Sequence, residues 1–447
     1  MSATRKLAEF VHDLNYDDIS ETAIKKAKLC VLDLTGVMIG GYIYGSEDMN
    51  HMVEALSPFF GQPQATLFTK KRKVDLINAA LINGTSSHLL DYDDIQGSMS
   101  GHPSPPVIPA ALAMGEYHEI TGRKLIEAVV SGIEAECRIG RAVNPAHYAA
   151  GWHATSTLGH FGACAAVAKI IDMDVDRIVA SLGIAGTQAC GLRQSFGSMC
   201  KPLHAGRAAS NGLLAAILAD NGFTAPKEIL EGPDGFGSTA STKFDETRFI
   251  NFGQPFEVEG VIYKRYSSCY ETHGSVRCML DIRNKYDPIF NNVDKITVIV
   301  SEFSFRSAGI PEPRTPLEGK FSIRYCTALA LMKGQVTEEF FTGELVNAPE
   351  TRNLMSKIDV VTDKSLRGTG DAEIHMIMTD GSEINEKTNL MALEYRVTPD
   401  EWEPVLAAKA NNLLLTAFSP ETSSSIINAI MKLEDIDNIK SVVELMS

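Results

Sequence analysis

Between Glu21 and Gly222 the chain repeats one texture, and that texture limits the fold more than any single motif does. Apolar segments rich in Ala and Gly follow one another: ETAIKKAKLCVLDLTGVMIGG (21–41), VDLINAALINGTSSHLLD (74–91), SPPVIPAALAMGEYHE (104–119), GRKLIEAVVSGIEAECRIGRAV (122–143), STLGHFGACAAVAKII (156–171), VDRIVASLGIAGTQACGL (175–192) and GRAASNGLLAAILADNG (206–222). Apolar residues recur at three-to-four spacing on most faces. This predicts helices buried inside a bundle, with small residues permitting close approach. Ser20 is an N-cap for the first, and its Gly40-Gly41 pair reads as a C-cap.

After Gly222 the texture changes. TAPKEILEGPDGFGSTAS (224–241) is punctuated by Pro and Gly and reads as a connection. ITVIVSEFSF (296–305) alternates like a strand, and EIHMIMTDGSEINEK (373–387) reads as a hairpin turning at Asp380-Gly381. A helix is expected between them at 321–334, with further helices after Thr398-Pro399-Asp400 and Ser419-Pro420-Glu421. The expected fold is mainly α. A large all-helical domain, residues 1–260 completed by 396–447, carries an inserted smaller α+β domain at 261–395.

A formal net charge of −15 argues against a nucleic-acid or anionic-membrane surface. It also makes any local cluster of cations informative. The eight cysteines are scattered singly without a C-x-x-C pair, the usage of a reducing compartment, and the N-terminus resembles neither a signal nor a transit segment. No apolar run is read as a membrane span. Cytoplasm is the expected location.

Four segments carry chemistry. In LLDYDDIQGSMSGHPSPPVIPA (89–110), Asp91, Asp93 and Asp94 fit no calcium loop, and His102 is the only ring seen beside them, so no metal is expected. Instead His102-Pro103 sits before a helix start, where backbone N–H groups face it. Asp93 and Asp94 read as structural carboxylates. In HYAAGWHATSTLG (147–159), Tyr148 and His153 precede a hydroxyl run that suits an N-cap, which suggests an anion site. In KPLHAGRAASNG (201–212), Lys201, His204 and Arg207 recur every third residue at a helix start, like a carboxylate clamp. In YKRYSSCYETHGSV (263–276), Lys264, Arg265 and His273 can close over the same pocket from the second domain, while Cys269 reads as a buried structural thiol. No dinucleotide, P-loop, serine-hydrolase or zincin motif is present.

Together these segments, with KFSIRY (320–325), resemble the MmgE/PrpD family of 2-methylcitrate dehydratase, cis-aconitate decarboxylase and iminodisuccinate epimerase over roughly residues 5–410. The resemblance implies a helical domain with an α+β lid, a homodimer, and no metal or organic cofactor. It also implies that Asp91, His102, His153, Lys201 and Lys264 line the substrate pocket. The chain departs from the family at Ile95, where lyase members often carry Thr. Arg207 stands where the epimerase has a small residue.

The residues suit proton abstraction beside a carboxylate, which needs a base and fixed cations to hold enediolate-like charge. His102 or His153 can act as base or acid, and Lys201 is an alternative base. Asp91 would orient an imidazole, and Lys201 and Arg207 would pair with substrate carboxylates. Tyr148, His204, Lys264 and His273 complete the expected binding set. The leading expectation is a cofactor-independent lyase, a dehydratase or decarboxylase acting on a small di- or tricarboxylate. An epimerase of a dicarboxylate resembling iminodisuccinate would use the same pocket. A silent metabolite-binding protein and a metal-dependent hydrolase are further alternatives.

Overall fold

The computed structural model describes residues 2–366, 370–390 and 397–447, so the domain boundary expected at 395/396 lies outside the described residues. The fold is mainly α, and the Ala- and Gly-rich segments are the helices Glu21–Tyr44, Leu76–Leu89, Ser104–His118, Gly122–Val143, Ala154–Ile170, Val175–Gln188 and Cys200–Asp220. Ser20, Asp75, Thr121 and Asp174 each accept a first-turn backbone N–H, which fixes where four of them begin. Pro105 and Pro106 open the Ser104–His118 helix, where their missing N–H costs nothing.

Three local expectations change. Gly40 and Gly41 do not end their helix, which runs on to Tyr44. A Cβ on Gly41 would lie 2.1 Å from the carbonyl oxygen of Ser86, so the glycine serves close helix contact instead. The run Thr155–Thr157 lies inside a helix that already starts at Ala154 with His153 as its cap residue. Strand 293–300 stops at Ser301, whose side chain caps the short helix Glu302–Ala308.

Two large hydrophobic cores stand out among the described residues, beside two small clusters. The larger joins the helices of the first half to Trp402, Leu406, Ile426 and Ile430 of the C-terminal helices Pro399–Leu414 and Pro420–Met431. Trp402 is 1% exposed and meets the Tyr263 ring edge-on at 5.4 Å, which ties the C-terminal helix to the start of the second region. The smaller core lies between the helices Tyr270–Tyr286 and Ile323–Lys333 and a four-stranded sheet. The sheet order is Ile358–Thr362, Val293–Val300, Asp371–Met378, Glu383–Asn389, parallel in its first pair and antiparallel thereafter. The last two strands form the hairpin at Asp380-Gly381, as the sequence predicts.

Helix Glu21–Tyr44 corrects the reading that no segment could span a membrane, being long and apolar enough by composition. In the fold, however, 89% of its apolar window is buried against the rest of the protein.

The crossing of Leu76–Leu89 with Cys200–Asp220 sets the positions of the ionisable side chains. A Cβ on Gly84 would sit 2.9 Å from the Cα of Gly206, and one on Gly206 would sit 2.2 Å from the carbonyl oxygen of Leu81. The backbones therefore touch. This brings the C-terminal end of one helix, with His88 and Asp91, to the first turn of the other, with Lys201.

Candidate active site

Asp91 leaves the Leu76–Leu89 helix with φ +50°, a left-handed conformation that Asp tolerates better than most side chains. Its Oδ1 accepts from Lys201 Nζ at 3.0 Å and Lys264 Nζ at 2.8 Å. Lys264 also donates to the Asp91 carbonyl at 2.7 Å. Lys201 Nζ lies 2.9 Å from His88 Nε2, and His88 Nδ1 lies 3.0 Å from both oxygens of Asp93. An ammonium only donates, so His88 must accept at Nε2 and donate its Nδ1–H to Asp93. On the other side of Asp93, His102 Nδ1 is 2.8 Å from Oδ2 without the alignment of a full hydrogen bond. The result is one buried chain of charge: Lys264, Asp91, Lys201, His88, Asp93, His102.

Burial drives His88 down to about 3, so it is neutral at physiological pH despite its carboxylate neighbour. Burial also lowers His102, against the opposing pull of Asp93, and it holds His153 well below the ordinary imidazole range with Lys201 adding to the effect. Burial alone would raise Asp91 and Asp93. The two lysines reverse this for Asp91, and His88 and His102 reverse it for Asp93, so both stay ionised. Asp94 differs: burial raises it to about 7, and it accepts from the Ser104 backbone and hydroxyl, holding the start of the Ser104–His118 helix.

Beside this chain lies a small cavity lined by side chains of both regions. Asp91, His102, His153 and Lys201 line one side. Tyr148, Phe196 and Ile95 extend that wall, and Cys269, Tyr270, Glu271, Phe303 and Phe321 come from the second region. His153 Nε2 is buried there with no hydrogen-bond partner among the described residues, while its Nδ1 is 3.1 Å from His204 Nδ1. Thr155 Oγ1 accepts from the His102 backbone at 3.1 Å, so the hydroxyl run fastens the histidine loop to the helix beneath it.

His88, Asp91, Asp93 and His102 present ligand-type atoms within 4.8 Å of one another, so a metal must be considered. The residues do not fit one as they stand. Lys201 Nζ already occupies the cation's place between His88 and Asp91, and Lys264 would repel a second positive charge.

The arrangement can thus move a proton with neutral imidazoles and hold negative charge with lysine. Sequence comparison independently gives the family. The MmgE/PrpD N-terminal domain matches residues 5–248, and the MmgE/PrpD C-terminal domain matches residues 266–435.

The chain belongs to the MmgE/PrpD family.

Among its MmgE/PrpD relatives, the cis-aconitate decarboxylase of Mus musculus is 23% identical over 465 residues, covering 100% of this chain and 93% of that one. The cis-aconitate decarboxylase of Aspergillus terreus is 25% identical over 474 residues, with 99% and 96% coverage. A mitochondrial 2-methylcitrate dehydratase of Yarrowia lipolytica is 22% identical over 436 residues, covering 90% and 82%. The chain is an enzyme of the MmgE/PrpD lyase type.

The structure separates the expected site residues into three groups. Asp91, His102, His153, Lys201 and Tyr148 come together on the cavity wall, where the Arg193 guanidinium lies 4.0 Å over the Tyr148 ring and burial pushes the phenol up to about 12. Lys264, His204 and His273 stand one layer behind. Lys264 holds Asp91, His204 meets His153, and His273 donates its Nε2–H to the Tyr266 carbonyl while packing on Tyr270. Arg207 is exposed and away from the cavity. Its helix starts at Cys200, and six residues turn it about 120° from Lys201, so spacing by three does not make one face.

Two roles also move. Asp93, expected to be structural, contacts His102, whose Nε2 stays 3.7 Å from Asp91 Oδ1; Asp93 is therefore the orienting carboxylate. His88 had no expected role. Its helix is buried on nearly every face, so its periodicity held no sign of a special side, although the pairing His88-x4-Asp93 was visible in the sequence. Cys269 does reach the cavity, but burial pushes it to about 12, so it is a thiol and not a nucleophile.

Proposed function

We propose that the protein is a cofactor-independent lyase that removes water or carbon dioxide from a small di- or tricarboxylate of the citrate/aconitate type. The observation that carries this reading is the shared cavity wall of Lys201 and two neutral imidazoles, His102 and His153. The citrate- and aconitate-type names of its relatives support the substrate class.

With Nδ1–H facing Asp93, His102 keeps its Nε2 lone pair for the cavity and serves as base toward a proton next to a carboxylate. Lys201 has two acceptors, Asp91 and His88, so one N–H remains for the substrate carboxylate as charge builds on it. In a dehydration, the C–H electron pair forms the new double bond and the C–O bond breaks. Hydroxide then takes a proton to leave as water, and His153, at its unpartnered Nε2, is placed to pass that proton. In a decarboxylation, the C–C pair of the departing carbon dioxide stays on the substrate and is protonated from the same group. The same reading includes a homodimer in a reducing cytoplasm, which sedimentation and thiol titration of the eight free cysteines test.

The deciding experiment is product NMR in D₂O over a panel of polycarboxylates, after exhaustive chelation. An alkene or decarboxylated product that survives chelation is expected. Deuterium at the α-carbon with no loss of water or carbon dioxide would replace the lyase with an epimerase. Activity lost on chelation and restored by a metal would overturn cofactor independence.

A further inference from the structure

The cavity that Lys201 lines also carries a group that does not suit a site for polyanions. Glu271, in the first turn of the Tyr270–Tyr286 helix, is 6% exposed and lines the cavity. Its Oε2 is held from two sides, by the Ser304 hydroxyl and by the Gly370 N–H at 3.3 Å. Its Oε1 has no hydrogen bond among the described residues and is left to the cavity.

Charge makes the placement informative. Asp91 already brings one carboxylate to the wall, and a di- or tricarboxylate brings more. An ionised Glu271 would add like-charge repulsion inside a partly dehydrated space. A neutral carboxyl resolves this, and the geometry says where its proton sits. Oε2 already accepts twice, so the proton belongs on Oε1, pointing at the ligand.

We propose that Glu271 is a substrate-contacting, specificity-determining residue that meets a carboxylate of the bound acid as a neutral carboxyl group, donating one O–H hydrogen bond from Oε1. This rests on the polycarboxylate reading of the cavity. It deepens that reading by requiring a ligand carboxylate at the Tyr270–Glu271 end as well as at Lys201.

The surroundings agree. Burial raises Glu271 to about 7, with Asp371 adding to the rise and Lys264, Ser304 and the Gly370 N–H opposing it. Of the titratable groups lining the same cavity, Cys269 and Tyr148 are pushed to about 12 by burial, while Asp91, His102 and His153 are all shifted downward. The Glu302–Ala308 helix meets it with the uncharged Ser304. Between pH 7.5 and 9 the remaining neutral fraction of Glu271 therefore falls about tenfold per unit, while Cys269 and Tyr148 keep their protons.

The test is calorimetric binding of propane-1,2,3-tricarboxylate, which has no hydroxyl to lose and no double bond, to the intact protein between pH 7.5 and 9. For the wild type, Kd should rise about tenfold per pH unit as the neutral acid is lost. Glu271→Gln places a carbonyl at Oε2 and an NH₂ donor at Oε1, and its Kd should stay level within about twofold across the range. Glu271→Ala should bind more weakly at every pH, also without slope. Wild-type binding with no pH slope, or a Gln variant that follows the wild-type slope, overturns the proposal and leaves the polycarboxylate reading intact. Absence of wild-type binding at any pH overturns both.

Discussion

Lys201 and Lys320 are both buried ammonium groups beside a carboxylate and aromatic rings, yet they are built for different ends. Lys320 is 1% exposed and has four acceptors: the Leu90 and Ser267 carbonyls, the Ser267 hydroxyl and Glu338 Oε2. Its three N–H bonds are fully taken, with one acceptor to spare. Among the described residues Lys201 has only Asp91 and His88 as acceptors, and it opens on the cavity between Phe196 and Phe321. A saturated lysine is a strut, here fastening the chain after the Leu76–Leu89 helix to the second region. An unsaturated one is a binding group.

The contrast is broken most directly by exchanging each lysine for Met. Lys201→Met should cut turnover at least about 10³-fold, since it removes the cation that holds developing charge, while circular dichroism stays native. Lys320→Met leaves Glu338 buried without its partner and should cost about 3–5 kcal/mol in denaturant unfolding. Equal destabilisation by both would erase the distinction.

The neighbouring carboxylates repeat it on a smaller scale. Asp93→Asn should lower kcat by about 10²–10⁴, the usual span for general acid–base help. His102 is lowered by burial and partly restored by Asp93, so losing that carboxylate lowers it further. The acid limb of the rate profile should then move to lower pH; a move to higher pH would refute Asp93 as the orienter. Asp94→Asn should leave turnover within about threefold and act on stability instead. Asp94 binds its proton up to about pH 7 when folded, whereas the unfolded chain releases it near 4. Stability therefore falls as pH rises across that window, and the Asn variant should melt higher than wild type at pH 8 but not at pH 4. The smallest effect belongs to Arg207→Gln. Its side chain is exposed and off the cavity, so kcat/KM should change less than about twofold; a tenfold loss would bring it back to the site.

Much of this was legible in the chain. Caps and apolar periodicity placed the helices, and Asp380-Gly381 placed the hairpin, because those signals are local. His102, His153, Lys201 and Asp91 stood out as ionisable groups at helix ends in a chain short of cations. The misses share a cause: each depends on how far the backbone turns before a side chain is aimed. Asp91 and Asp93 exchange tasks because the chain leaves its helix through a left-handed residue, which no composition reveals. Arg207 was assigned to the wrong side because its helix begins a full turn earlier than its apolar run suggests. Glu271 is one acid among 56 Asp and Glu residues until the second region folds against the first.

The contact between Gly84 and Gly206 has a consequence for tolerance. Elsewhere in the bundle a core side chain can be exchanged for one of similar volume, and its neighbours adjust by rotating. At this crossing the closest atom to each added carbon is a backbone one, so rotating the neighbouring Thr85 side chain is not enough and a helix must move. Lys201 sits five residues from the contact and His88 four, so a shift there is passed to both ends of their 2.9 Å separation. The spacing of the proton-handling groups is thus gauged by two missing methyl groups, in a part of the molecule that does not line the cavity.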